Sequence, residues 1–81
     1  MGILIILPSD TGTQKAHAFL DARGLRHQVI KIPERLGYKT GAHHGIYAND
    51  DYSMLLTQAR LVVMRVFRGF EPLPEELAES L

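Results

Sequence analysis

The chain has 81 residues, of which 46% are hydrophobic and 22% charged, so its length suits one small globular domain. Nine basic residues balance nine acidic ones, which disfavours a nucleic-acid partner because phosphate binding usually requires a basic excess. The chain contains no cysteine, and this excludes disulfides, thiolate metal sites, iron–sulfur clusters and thiol nucleophiles.

The N-terminal part of the chain predicts a strand followed by a helix. Residues 3–7 (ILIIL) are a β-branched run between Gly2 and Pro8, which is typical of a buried strand. Loop and capping residues follow in SDTGT, and apolar residues then recur at helical spacing up to Gly24. We therefore expect the first helix to run from about Thr13 to Arg23.

No segment predicts a membrane span or a leader. The apolar run at residues 3–7 is far shorter than the ~20 residues that a spanning helix needs. It also lacks the basic flank and the cleavage site of a signal peptide. We expect a cytoplasmic protein with no membrane partner.

The middle of the chain predicts two strands separated by a long loop. Residues 25–32 indicate the second strand, which Pro33 closes. Residues 33–44 contain Gly37 and Gly41 and show no clear period, which favours a loop. Residues 45–48 indicate a weak third strand. The alternative is an irregular α+β domain in which this strand does not form.

The remaining residues predict a second helix, a fourth strand and a tail. Residues 49–51 (NDD) are expected to cap the second helix, and residues 61–67 (LVVMRVF) indicate the fourth strand. The order βαββαβ is that of the ferredoxin-like α+β fold, a four-stranded antiparallel sheet with two helices on one face. We assign residues 1–68 to this domain. Residues 69–81 form a tail, where Leu73, Leu77 and Leu81 indicate a short amphipathic C-terminal helix.

The first and last predicted strands are apolar on both faces, although an open sheet face normally produces alternation. A further element is therefore expected to cover the second face, either the C-terminal helix or a second copy of the chain. We favour self-association as a homodimer through the open sheet face, with the tail taking part.

One edge of the predicted sheet gathers groups that suit a small anion. In this fold the loop after the first strand lies beside the start of the third strand, next to the N-terminus of the first helix. Free backbone N–H groups, hydroxyls, one lysine and two histidines meet there. The candidate ligand-binding residues are Thr11, Gly12, Thr13, Lys39, His43 and His44. The alternative is that the residues before the helix act only as caps.

Metal and catalytic chemistry are less favoured by the residue spacings. The adjacent His43 and His44 point to opposite sides of an extended chain, and His17 and His27 are too distant in sequence to define a ligand pair. Asp21 lies one helical turn from His17, which predicts a simple surface contact. No metal site and no cofactor are expected, and no triad or paired carboxylates indicate an enzyme.

Three motifs carry a resemblance to a known family. The stretches LPSDTGTQKAHAFLDARGL and VIKIPERL are followed by His44-Gly45-Ile46 ahead of the third strand. Over roughly the first 68 residues this arrangement resembles the selenium/sulfur carrier protein-like family, which typically has Cys-Gly and an apolar residue at the last motif. The resemblance implies a thiolate-based carrier, a chemistry that an imidazole at His44 does not support.

These observations lead to two functional expectations. The leading one is a non-catalytic binding or assembly module, which acts as a homodimer. The alternative is a small-anion or metabolite binder at the N-terminus of the first helix, as a cysteine-less relative of the carrier family.

Overall fold

The chain folds in the order βαββαβ followed by a short helix, as described by a computed structural model for residues 1–39 and 41–78. The strands are β1 (Gly2–Ile6), β2 (Gln28–Lys31), β3 (His44–Ala48) and β4 (Arg65–Phe70). The helices are α1 (Asp10–Ala22), α2 (Ser53–Gln58) and α3 (Pro74–Ala78), and a 3-10 helix covers Glu34–Leu36. All neighbouring strands are antiparallel in the order β2-β3-β1-β4, which confirms the ferredoxin-like α+β fold. None of the helices in these residues combines the length and the apolar character that crossing a bilayer requires.

Side-chain and backbone caps define both ends of α1. The Ser9 hydroxyl accepts a hydrogen bond from the Gly12 amide at 3.1 Å, so the helix begins at Asp10 and not near Thr13. At the other end Gly24 adopts the left-handed conformation with φ +67°. The next amide, that of Leu25, turns back to donate to the Leu20 carbonyl at 3.0 Å.

Both main helices pack on the same face of the sheet, as predicted. Ala16 and Leu20 of α1 and Leu56 of α2 are fully buried against this face. The sheet side of the contact consists of Ile5, Leu7, Val29 and Ile46. Burying one such aliphatic side chain stabilises the fold by about 1.5–3 kcal/mol, so this layer is a main source of stability.

The opposite face of the sheet is covered by the chain itself. Leu4, Ile6 and Ile30 are fully buried there, beneath side chains from residues 32–39, from residue 42 and from α3. The residues that pack over them are Ile32, Leu36, Tyr38, Ala42 and Leu77, and Phe70 of β4 belongs to the same cluster. The uncovered face that motivated the homodimer is thus closed within one chain, and the homodimer stays a prediction. Leu73 is 43% exposed, and Leu81 lies outside the described residues.

The predicted bounds of the fourth strand were wrong. Arg60 adopts φ +67° and the Leu61 amide donates to the Leu56 carbonyl at 3.0 Å, which closes α2 and turns the chain. Residues 61–64 connect α2 to β4, and Val63 packs on the helical-face core. The strand itself continues to Phe70, into the segment that the sequence assigned to the tail. Leu61 and Val63 of this connector are therefore apolar because they pack on core, and not because they lie in a strand.

Candidate functional site

The carboxylate of Asp10 joins the start of α1 to the start of β3. Its Oδ1 accepts hydrogen bonds from the backbone amides of His43 at 2.8 Å and His44 at 3.1 Å. The ring Nδ1 of His43 donates to Oδ2 at 2.9 Å, since an ionised carboxylate can only accept. The loop before β3 therefore lies beside the N-terminus of α1, as predicted. The carboxylate that contacts this loop belongs to Asp10 of the protein itself.

These contacts hold Asp10 in its charged form. The hydrogen bond from the His43 side chain is the largest cause that lowers its pKa, from an ordinary value of 3.8 to about 2, and the two backbone amides add to it. The start of a helix also favours a negative charge. A carboxyl group with so low a pKa is ionised at neutral pH and is a poor proton acceptor. Asp10 is therefore a structural link and not a general base.

Thr13 forms a second link between α1 and β3. Its side chain is 1% exposed, and its hydroxyl lies 3.1 Å from the Ser9 carbonyl oxygen and 3.2 Å from that of His44. The hydroxyl donates its single proton to these acceptors, and the burial of the side chain keeps it from the surface. Gly41 gives a third close approach, because a Cβ there would lie 2.7 Å from the Pro8 carbonyl oxygen.

The other candidate residues line two separate hollows. Thr11 and Gly12 border a hollow of about 230 Å³, together with Lys15 and Arg60. Lys39 and His43 border a groove of about 540 Å³. His44 contributes its backbone to the Asp10 contact, and its ring Nδ1 lies 3.7 Å from Oδ1 of Asp10. The structure therefore distributes the six predicted residues over two hollows and the link between them.

The 540 Å³ groove, named the loop groove below, combines positive charge with apolar walls. It is lined by Lys31, Ile32, Pro33, Glu34, Gly37, Tyr38, Lys39, Ala42 and His43. Two lysines and one carboxylate lie in this set, and the His43 ring is bound to the Asp10 carboxylate, so the excess of positive charge comes from the lysines. The Tyr38 ring packs edge-on against Phe67, with ring centroids 5.8 Å apart, which attaches this wall to β4.

Sequence reasoning missed Lys31 as part of this groove. Lys31 is the last residue of β2 and pairs with His44 in the sheet. The signal in the sequence is a lysine at the end of the second strand, next to the loop that contains Lys39 and His43. This signal is weak, because a lysine at the end of an edge strand also fits an ordinary exposed strand terminus.

A second group of potential ligands lies at the other end of α1. One ligand atom from each of His17, Asp21 and His27 lies within 4.8 Å of the others. The expected contact of His17 with Asp21 is present at 3.6 Å. The approach of His27 was missed, because it depends on how the chain turns back after Gly24 and not on residue spacing.

Comparison with family models, with curated proteins and with solved structures finds no match to this chain. The resemblance to the selenium/sulfur carrier protein-like family therefore stays a prediction.

Proposed function

We propose that this protein is a non-catalytic binding module that takes a small organic anion in the loop groove. The observation that carries the proposal is the convergence of Lys31, Lys39 and His43 around a hollow of about 540 Å³ that contains Glu34 as its one carboxylate among the described residues. A hollow of this size lies within the usual range for small-molecule sites.

The lining favours an anion that also has an apolar part. Ile32, Pro33 and Tyr38 supply hydrophobic surface beside the two lysines. Because Asp10 binds Nδ1 of His43, a ligand would meet the other ring nitrogen of that residue. The expected ligand is therefore a carboxylate or phosphate ester with a compact hydrophobic group, and inorganic ions are expected to bind less tightly.

The groove can be tested by NMR with phenyl phosphate and inorganic phosphate as probes. Phenyl phosphate is expected to shift the amides of residues 31–39 and 42–43 in a saturable manner, and phosphate to shift them more weakly. Lys39→Gln should lower the affinity about 1.5- to fivefold, since a surface charge contact contributes about 0.2–1 kcal/mol. The matched control is Lys15→Gln, which removes a lysine that lines the other hollow.

The control separates a specific site from general attraction of anions. If Lys15→Gln weakens binding as much as Lys39→Gln, the loop groove is not the site. The proposal is also contradicted if phenyl phosphate shifts none of the groove amides at millimolar concentration.

A second candidate, self-association as an assembly module, is favoured by a different observation. Met54, Val62 and Met64 are large apolar side chains that remain exposed. Val62 and Met64 alternate along the connector that leads into β4, which is an edge strand of the sheet. The expected partner is a second copy of the chain, and zero net charge leaves little repulsion between copies.

Light scattering distinguishes this candidate from a monomer. The unmodified chain should have a dimeric mass, and the double variant Val62→Ser, Met64→Ser should have a monomeric mass. Leu73→Ser is the control, because Leu73 is an exposed apolar residue that precedes α3, and this variant should keep the dimeric mass. A monomeric mass for the unmodified chain at high concentration would contradict it.

A further inference from the structure

Three metal-ligating side chains converge where α1 meets the segment ahead of β2. The His17 Nδ1 and His27 Nε2 atoms are 2.7 Å apart. The Asp21 carboxylate lies 3.6 Å from Nε2 of His17 and 3.9 Å from Nε2 of His27. Two imidazoles and one carboxylate therefore meet within a space that one ion could occupy.

A backbone contact orients His27 for this role. Its Nδ1 lies 2.7 Å from the Leu25 carbonyl oxygen, which can only accept a hydrogen bond. The proton of the neutral ring is therefore on Nδ1, and the lone pair is on Nε2, the atom that faces His17. Metal-binding histidines usually have this arrangement, in which a second hydrogen bond fixes the tautomer and the ring direction.

The cluster combines one rigid ligand with two adjustable ones. The His27 side chain is 1% exposed, whereas those of His17 and Asp21 are 39% and 66% exposed. Bond lengths of about 2.0–2.1 Å to Zn²⁺ separate two tetrahedral nitrogens by about 3.3 Å. The two rings would therefore move apart by roughly half an ångström, and the solvent-exposed His17 and Asp21 can make this adjustment.

We propose that His17, Asp21 and His27 form a binding site for a divalent transition metal, with Zn²⁺ as the preferred ion. Imidazole nitrogen suits Zn²⁺, and two histidines with one carboxylate form a known three-ligand set that leaves the fourth position to water. The hard ions Mg²⁺ and Ca²⁺ prefer oxygen ligands, of which this cluster offers one side chain. When Zn²⁺ binds, the neutral His17 ring changes tautomer: its proton moves from Nδ1 to Nε2 through solvent, the Nδ1 lone pair binds the ion, and no net proton is released.

Bound metal would clamp α1 to the start of β2. His17 and Asp21 lie on consecutive turns of the helix, and His27 directly precedes Gln28, the first residue of the strand. The ion would thus close the turn at residues 23–26 and stabilise the native state by binding it preferentially. This role is independent of the loop groove, which no residue of the cluster lines.

The site can be tested with the untagged full chain by titrating Zn²⁺ in calorimetry and in NMR spectra of the imidazole nitrogens. One equivalent is expected to bind, with shifts at the rings of His17 and His27 and a rise in thermal midpoint. His17→Gln should weaken binding by tenfold or more, and Asp21→Asn by about three- to tenfold. Both positions are exposed enough for the variants to fold. His43→Gln is the control and should change the affinity less than twofold.

Three results would overturn the proposal. The first is the absence of saturable Zn²⁺ binding at millimolar concentration, and the second is unchanged affinity in both His17→Gln and Asp21→Asn. The third is a loss of affinity in His43→Gln as large as in His17→Gln, which would place the ion at the other histidine pair.

Discussion

Replacing Asp10 with asparagine tests whether one carboxylate joins α1 to β3. The substitution keeps the size of the side chain and one acceptor oxygen, but it removes the charge. The contacts of that charge are the backbone amides of His43 and His44 and the ring of His43. We expect the free energy of unfolding to fall at neutral pH, because hydrogen bonds to a charged acceptor are stronger than those to a neutral one.

The size of the effect follows from the pKa of the carboxyl group. Lowering that pKa from 3.8 to about 2 corresponds to about 2.4 kcal/mol when fully expressed. The Asp10 side chain is 42% exposed, so solvent screening reduces the expected loss to about 1 kcal/mol. Because the pKa is depressed in the folded state, this stabilisation is fully present above about pH 4. It disappears as the pH falls toward about 2.

Urea unfolding followed by circular dichroism measures the difference directly. Asp10→Asn should be less stable than the unmodified chain at pH 7, and the two curves should approach each other between about pH 4 and pH 2. Glu71→Gln is the control, since the backbone carbonyl of Glu71, and not its carboxylate, accepts from Arg35. Equal stability of Asp10→Asn and the unmodified chain at pH 7 would refute the reasoning, as would a gap that does not change with pH.

Three further substitutions test other contacts of the fold. Thr13→Val keeps the shape of the side chain but leaves the carbonyls of Ser9 and His44 without this donor. The free energy of unfolding should therefore fall by about 1 kcal/mol. An unchanged urea midpoint would contradict this. Glu76→Gln breaks the bidentate contact with Arg35, whose two hydrogen bonds are 2.8 and 2.9 Å long. The backbone amides of α3 should then exchange with solvent faster than in the control variant Glu75→Gln. Equal exchange in both variants would contradict this prediction. Arg60→Gly removes the strain of a left-handed residue at φ +67°. The variant should be more stable by about 0.5 kcal/mol, with a higher thermal midpoint. A lower midpoint would show that the Arg60 side chain contributes more than its backbone strain costs.

The fold was accessible from sequence because its signals are local. The run ILIIL between Gly2 and Pro8 and the caps around α1 each indicate an element without tertiary information. The order of those elements then predicts the sheet. The start of β4 was misplaced because residues 61–64 are as apolar as a strand, and only the left-handed turn at Arg60 separates them from it.

The site was less accessible because it depends on contacts between distant residues. An aspartate in the first turn of a helix has the same local signature whether its carboxylate faces water or, as at Asp10, the amides of His43 and His44. In the same way, the 2.7 Å approach of His17 to His27 depends on the path of the chain after Gly24. The distance between His17 and His27 along the chain gave no reason to pair them as ligands.

The central position of β1 has a consequence for synthesis of the chain. This strand is made first, yet its two neighbours in the sheet are β3 and β4, and Leu4 lies opposite Tyr47 on one side and Phe67 on the other. At a rate of about 5–20 residues per second, translation needs several seconds to reach the second partner. This apolar strand has no partner until β3 is made, and one of its edges stays unpaired until β4 is made. A nascent chain stalled before β4 would therefore be the form most prone to aggregate or to engage a chaperone.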